Sequence, residues 1–112
     1  MTYWRWMVPA MILGLAISCT ENTEPENTPT VEITYTADVK PIMDLYCTGC
    51  HSGTEPSGDV DLSTYANLKD ATQNGAVIQR MNDGQAPMPP TGLLEVSQRD
   101  LIAEWADGGY LE

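Results

Sequence analysis

The sequence has no phenylalanine, a single histidine and only five basic residues among its 112 positions. Without Phe, the large aromatic side chains come from Tyr and Trp, and we expect a thin hydrophobic core. Five bases against sixteen acids give a formal net charge of −11. Phosphate contacts need clustered Lys and Arg, which argues against nucleic acids as partners. The length fits one small domain, which argues against two-domain enzymes and large catalytic clefts.

Residues 1–18 have the order of an export signal. Arg5 is their only charged residue, and an unbroken apolar run, WMVPAMILGLAI, follows it. Twelve helical residues span about 18 Å, well short of the roughly 30 Å hydrocarbon core of a membrane. We therefore expect a cleaved signal peptide and not a transmembrane anchor.

The apolar run ends at Ala16-Ile17-Ser18-Cys19, which resembles a bacterial lipobox. The resemblance implies that Cys19 is lipidated and becomes the new N-terminus. One departure is that Leu15 lies one residue earlier than the usual lipobox Leu. The alternatives are a signal peptide cleaved nearby, which leaves a soluble periplasmic protein, and a Cys buried in a retained helix. Loss of residues 1–18 leaves 4 bases against 16 acids, or −12.

Residues 19–34 are predicted to be the lipidated Cys and a flexible acidic tether. The segment TENTEPENTPT, residues 20–30, has no apolar residue and cannot bury enough surface to fold. Fully extended, it reaches about 36 Å. Val31, Ile33 and Tyr35 then alternate with polar residues, but no second alternating run could pair with them. We interpret this stretch as an extended arm on the domain rather than a strand of a sheet.

The folded domain, residues 35–112, is predicted to be all-α with about four short helices. Asp38 is expected to cap the first helix, which has Pro41 in its first turn, and Ser63 to cap the second. The third helix should begin near Ala76. The fourth should begin at Ser97, which forms a capping box with Asp100. The last helix should end at Gly108-Gly109. The predicted inward-facing residues number about seven, which is marginal for a stable core. Something else must complete it.

Cys47-Thr48-Gly49-Cys50-His51 is the attachment sequence of a c-type haem. Two residues between the thiols let both sulfurs reach the two vinyl groups of one porphyrin, and the next residue presents an imidazole to iron. The sequence therefore predicts one covalently attached haem c, with Cys47, Cys50 and His51 as its attachment and axial residues. The porphyrin would supply the missing core.

A Cys-x-x-Cys pair has two other common uses. A thioredoxin-like enzyme places the pair after a strand of a βαβ unit, whereas a helix-like segment precedes it here. Structural zinc requires four ligands, and only Cys47, Cys50 and His51 are at hand apart from Cys19. Both alternatives are less consistent with the sequence than haem.

The sixth iron ligand cannot be a second His, because His51 is the only one. It could be a Met, another nitrogen, water or nothing. Met43 and Met81 each lie on the apolar face of a predicted helix, which favours a core position. Met88 lies in Ala86-Pro87-Met88-Pro89-Pro90, where proline rings fix the backbone. We therefore predict Met88 as the metal ligand, with Met81 as the alternative.

Taken together, residues from about Tyr35 to Tyr110 resemble a small class I, single-haem cytochrome c. The resemblance implies a compact cytochrome c fold in which the first and last helices cross beside the haem, bringing Tyr46 or Met43 against Trp105. Lys69 and Arg80 are candidates for pairing with haem propionates, although an ordinary solvated surface position is the simpler interpretation of each. The short loops should leave one haem edge exposed.

These observations predict an electron carrier and not an enzyme. Iron with both axial positions filled has no place for substrate, and thioether ligation favours a high potential. We expect the protein to be lipid-anchored in the periplasm or cell envelope of a bacterium, with redox partners that carry basic docking patches. The alternatives are a haem sensor or peroxidase-like enzyme with a displaceable Met88, and a colourless thiol-disulfide oxidoreductase.

Overall fold

The computed structural model describes residues 31–112. The predictions for the signal peptide, for Cys19 and for residues 20–30 of the tether lie outside the described residues. From 31 to 112 the regular structure is helical without a strand, which confirms the all-α prediction. Residues 31–34 are irregular, and Ile33 packs against the core. No helix in this part of the chain is long and apolar enough to cross a membrane.

Four α-helices make up most of the domain: α1 (Lys40–Tyr46), α2 (Tyr65–Gln73), α3 (Val77–Met81) and α4 (Val96–Asp107). A π-helix, Tyr35–Val39, leads directly into α1, and a 3-10 turn, Ser57–Asp59, lies in the long loop before α2. The last helix, α4, contacts the π-helix, α2 and α3. The long loops between α1 and α2 and between α3 and α4 carry the rest of the site.

The first helical segment begins earlier than predicted. Thr34, and not Asp38, is its N-cap: the Thr34 hydroxyl accepts the Ala37 N–H at 3.3 Å. The Asp38 carboxylate instead accepts the Thr34 N–H at 2.8 Å, so the two residues close the helix end reciprocally. The wider π turn precedes Pro41, whose ring would clash with the carbonyl four residues earlier in an α-helix.

Two other predicted caps are also wrong. Helix α2 is capped by Thr64, whose hydroxyl accepts the Asn67 N–H at 3.2 Å, whereas the Ser63 hydroxyl donates to Asp61. Helix α4 begins one residue before Ser97, with Glu95 at the N-cap and no side chain capping it. The predicted end is confirmed, since α4 stops at Asp107 before Gly108.

The core is one cluster that joins all four helices. Its buried members are Tyr35, Val39, Met43, Leu62, Leu68, Met81, Ile102 and Trp105. The predictions that Met43 and Met81 are core residues are confirmed, with exposed fractions of 1% and 3%. Tyr46 differs from the expectation and is 38% exposed, because the core ends near Met43 and the last turn of α1 borders an open cavity.

Trp105 is the centre of an aromatic group that fastens the two ends of the domain together. Met43 belongs to the same buried cluster as Trp105. The rings next to Trp105 are those of Tyr35, Tyr65 and Tyr110, with centroids 5.0–6.4 Å away, and not that of Tyr46. The Trp105 indole N–H and the Tyr35 backbone N–H both donate to the Leu111 carbonyl at 2.8 Å. The C-terminal tail therefore ties α4 to the start of the first helix.

Candidate haem-attachment site

The Cys47-to-His51 motif forms a tight turn at the end of α1. The Cys47 N–H still donates to the Met43 carbonyl, so the motif continues directly from the helix. The Cys50 and His51 N–H groups then both donate to the Cys47 carbonyl, at 3.2 and 2.9 Å. This turn brings both cysteines and the histidine to the same side of the domain.

A cavity of about 1010 Å³ opens beside this turn. Its volume lies at the upper end of the roughly 300–1,000 Å³ that is usual for ligand and cofactor sites. The residues predicted to hold haem all line it: Cys47, Cys50, His51 and Met88. Met81 and Leu62 line it as well and belong to the buried core, so the cavity is continuous with the core that the sequence predicts to be incomplete.

Three hydrogen bonds fix the position of His51. Its backbone N–H donates to Cys47, its carbonyl accepts the Leu62 N–H at 2.8 Å, and its ring Nδ1 lies 3.0 Å from the Val60 carbonyl. Because a carbonyl can only accept, Nδ1 carries a proton, and in the neutral ring the lone pair is therefore on Nε2. A backbone carbonyl in this role is the usual way in which a metal-binding imidazole is oriented.

The two thiols of the motif differ in their surroundings. Both are free, with Cys47 half-buried and Cys50 exposed. Burial raises the pKa of the Cys47 thiol to about 11, so this thiol is protonated at neutral pH. Catalytic cysteines of thiol-disulfide enzymes have a lowered pKa, because the thiolate is the nucleophile. The surroundings of Cys47 therefore oppose the thiol-disulfide alternative.

Two methionines border the cavity from the elements that face the motif. Met81 ends α3 and is almost fully buried, whereas Met88 lies in the following loop and is half-buried. The Met88 N–H donates to the Arg80 carbonyl at 3.1 Å, and the Met88–Pro89 peptide bond is cis. Of the two thioethers, Met81 is already engaged in core packing, and so Met88 is the freer one.

The two bases predicted as propionate partners differ in position. Arg80 lines the cavity, and its guanidinium lies 3.4 Å from the Asp83 carboxylate. Lys69 does not line it: the ammonium lies over the Tyr65 and Tyr110 rings, 5.7 and 5.8 Å from their centroids. The prediction for Lys69 is therefore unsupported by its position, because the aromatic faces attract the ammonium away from the cavity.

Carboxylates outnumber bases around the cavity. Asp59, Asp61 and Asp70 line it, against the single base Arg80. The hydroxyl and N–H of Ser63 hold the pKa of Asp61 below its ordinary value, because both donate to the ionised form. At neutral pH the cavity rim is therefore negatively charged.

Several features of the site were not visible in the sequence. The Val60 carbonyl gives no sequence signal, because any residue can supply a carbonyl. The Asn82-Asp83-Gly84 segment has the composition of a turn, and Asp in such a turn commonly accepts backbone N–H groups two residues on. Among residues 31–112, no cluster of three or more His, Cys, Asp or Glu side chains is suited to a metal, so the geometry gives no support to the zinc alternative.

Comparisons with protein-family models, with curated proteins and with solved structures found no match to this chain.

Proposed function

We propose that this protein is a single-electron carrier with one covalently bound haem c, built as a small class I cytochrome c. The observation that carries the proposal is that one cavity is bordered by Cys47, Cys50, His51 and Met88. The first three are neighbours in the sequence, and the fold brings Met88 to them from about half the domain away. Two thiols, an imidazole and a thioether are the set of groups that attaches and ligates such a haem. When bound, haem c supplies reversible exchange of one electron between Fe(III) and Fe(II).

Each residue of the motif has a separate role in this proposal. The thiols of Cys47 and Cys50 would form the two thioether bonds, and the buried, protonated state of Cys47 keeps it from side reactions as a thiolate. His51 would bind iron through Nε2, since the Val60 carbonyl holds the proton on Nδ1. This arrangement sets the tautomer before the cofactor is attached.

The opposite side of the cavity would complete the coordination. Met88 is the proposed second axial ligand, on a loop whose prolines at positions 87, 89 and 90 limit its backbone freedom. Leu62, Val77 and Met81 give the cavity an apolar wall next to the core. With His51 and Met88 both bound to it, the iron would have no open position for a substrate, and we propose an electron carrier rather than an enzyme.

The leader adds the proposed location. Residues 1–18 and Cys19 support export and lipidation, so the domain would be held by a lipid at the outer side of a bacterial cytoplasmic membrane or elsewhere in the cell envelope. The acidic tether would separate the domain from the membrane. Its redox partners would carry basic patches, in keeping with the net charge and with the carboxylates around the cavity.

Mass spectrometry of the mature protein, made together with a cytochrome c maturation system, tests the proposal. We expect the polypeptide plus one haem, with pigment that stays on the chain in a denaturing gel. Cys47→Ser with Cys50→Ser should abolish the attachment. Cys19→Ser is the matched control: it should keep the haem and release the protein from the membrane. A colourless wild-type protein whose Cys47 and Cys50 react with maleimide would refute the proposal.

A second candidate, a haem sensor or peroxidase-like enzyme, is favoured by one observation. Met88 is half-buried and lies in a loop rather than in a helix, so its thioether could leave the iron. Carbon monoxide binding to the reduced protein at neutral pH would favour this function. A reduced protein inert to carbon monoxide would favour the electron carrier.

A further inference from the structure

The loop from α3 to Met88 is organised by the side chain of Asp83. Its Oδ1 atom accepts the backbone N–H groups of Gln85 and Ala86, at 2.9 and 3.1 Å. Its Oδ2 atom lies 3.4 Å from Nη1 of Arg80. The two N–H groups also hold the pKa of Asp83 below its ordinary value, because they stabilise the ionised carboxylate.

The same loop makes a second hydrogen bond to Arg80. The Met88 N–H donates to the Arg80 carbonyl at 3.1 Å, so Arg80 is bonded both to Asp83 and to the residue whose thioether borders the cavity. Proline at positions 87, 89 and 90 has no N–H to donate. The Asp83 contacts are therefore a large share of the hydrogen bonds that this loop can form.

A third contact fixes the start of the loop to the rest of the fold. The Arg99 guanidinium, on α4, donates to the Asn82 side-chain oxygen and to the Leu94 carbonyl, the latter at 3.1 Å. The Asn82 amide donates to the Ile78 carbonyl at 2.9 Å. Because Asn82 is held in this way, a change at Asp83 should affect the loop beyond it rather than α3.

We infer that Asp83 is a positioning residue for Met88: by holding the Gln85 and Ala86 N–H groups it keeps the thioether in place at the cavity. The inference rests on the proposed function, in which Met88 is an axial ligand. Loss of the Asp83 carboxylate should increase the fraction of protein in which the Met88 thioether has dissociated from the iron, while Met88 itself is retained. The contribution should resemble that of a helix cap, whose removal changes an equilibrium about fivefold.

Imidazole binding to the oxidised protein measures this equilibrium, because imidazole can bind only when Met88 has left the iron. The apparent dissociation constant therefore depends on the fraction of protein with an open site. We expect Asp83→Ala to lower this constant about fivefold and to weaken the far-red thioether-to-iron band. Asp83→Asn, whose amide oxygen can still accept both N–H groups, should have a smaller effect.

The matched control is Asp44→Ala, which removes an exposed carboxylate and its ion pair with Lys40 but does not border the cavity. It should leave the imidazole constant unchanged. In the Met88→Ala background, Asp83→Ala should also have no effect, because no thioether is left to position.

Equal effects of Asp83→Ala with and without Met88 would overturn the inference, as would an unchanged constant in the wild-type background. In either case covalent haem on the protein would show that the proposed function still stands. A wild-type protein that lacks haem would instead overturn both proposals.

Discussion

At the scale of single residues, His51 is oriented entirely by backbone atoms. Its N–H, its carbonyl and its Nδ1 are bonded to Cys47, Leu62 and Val60 through main-chain groups alone. The ring position therefore depends on the path of the loop between residues 51 and 62 and not on any partner side chain. The adjacency of His51 to the two cysteines follows from the sequence, whereas the tautomer follows from the Val60 carbonyl, which only the fold brings to Nδ1.

Replacement of Met88 by Ala tests the choice between the two thioethers at the cavity. In the proposed site, Met88→Ala removes the axial sulfur, and we expect complete loss of the far-red absorption band of the oxidised protein together with binding of carbon monoxide to the reduced protein. Met81→Leu is the control: it conserves volume in the core, should cost less than about 1.5 kcal/mol and should keep the band. Persistence of the band in Met88→Ala would transfer the ligand role to Met81.

At the scale of elements, the sequence predicted the helices better than their starts. The N-caps are Thr34, four residues before the predicted Asp38, Thr64, one residue after the predicted Ser63, and Glu95, two residues before the predicted Ser97. Neighbouring Ser, Thr and Asp residues can each cap a helix, and the choice depends on which of them has extended backbone and a free side chain. The Ser63 hydroxyl instead donates to the Asp61 carboxylate two residues earlier, a contact that the helix pattern does not reveal.

Helix α4 offers a direct test of the capping argument, because no side chain caps its N-terminus. Glu95→Asp keeps the negative charge near the helix dipole and shortens the side chain to the length that caps best. We expect a gain of about 0.5–1 kcal/mol in the free energy of unfolding, measured by urea denaturation. Glu95→Ala, which loses the charge, should be no more stable than the wild type. Equal stability of the Asp and Ala variants would contradict the assignment of the cap.

The junction of α2 and α3 is tight at Gly75. A Cβ atom there would lie 2.5 Å from the Ala71 carbonyl oxygen, a backbone contact that cannot be relieved by moving a side chain. We expect Gly75→Ala to destabilise the domain by about 1–3 kcal/mol in urea denaturation. Gly84→Ala is the control, since nothing lies within 4 Å of its Cβ, and it should be neutral or slightly stabilising. Similar losses in both variants would show that the close approach is not the cause.

At the scale of the whole molecule, the thin core and the cavity are parts of one arrangement, because residues of the core also line the cavity. Tyr35, Tyr65 and Tyr110 form one aromatic group around Trp105. Leu62 and Met81 belong to the same buried core and also line the cavity. A thin core was predictable from the absence of Phe. The cavity was predictable only through the attachment motif, because its far wall comes from residues brought together by the fold and carries no local pattern. The position of the Lys69 ammonium over the Tyr110 ring is a tertiary contact of the same kind.

The charge of the whole chain gives the last prediction, which concerns how the domain meets other redox agents. The formal net charge is −11, and the cavity borders on Asp59, Asp61 and Asp70 while its one base, Arg80, is paired with Asp83. An approaching cation should therefore be attracted to the site from which electrons would leave. Such attraction weakens as added salt shortens the Debye length from about 30 Å at 0.01 M to about 8 Å at 0.15 M.

Stopped-flow oxidation of the reduced protein by a tripositive cobalt complex should therefore slow with increasing ionic strength, by roughly tenfold over that range if steering is typical. Oxidation by the hexacyanoferrate(III) anion should accelerate over the same range, because salt screens its repulsion. The two oxidants together separate charge effects from a general effect of salt on the fold, which would change both rates in the same direction. Rates that do not depend on ionic strength would exclude electrostatic docking at the cavity and, with it, the expectation that the natural partners carry basic patches.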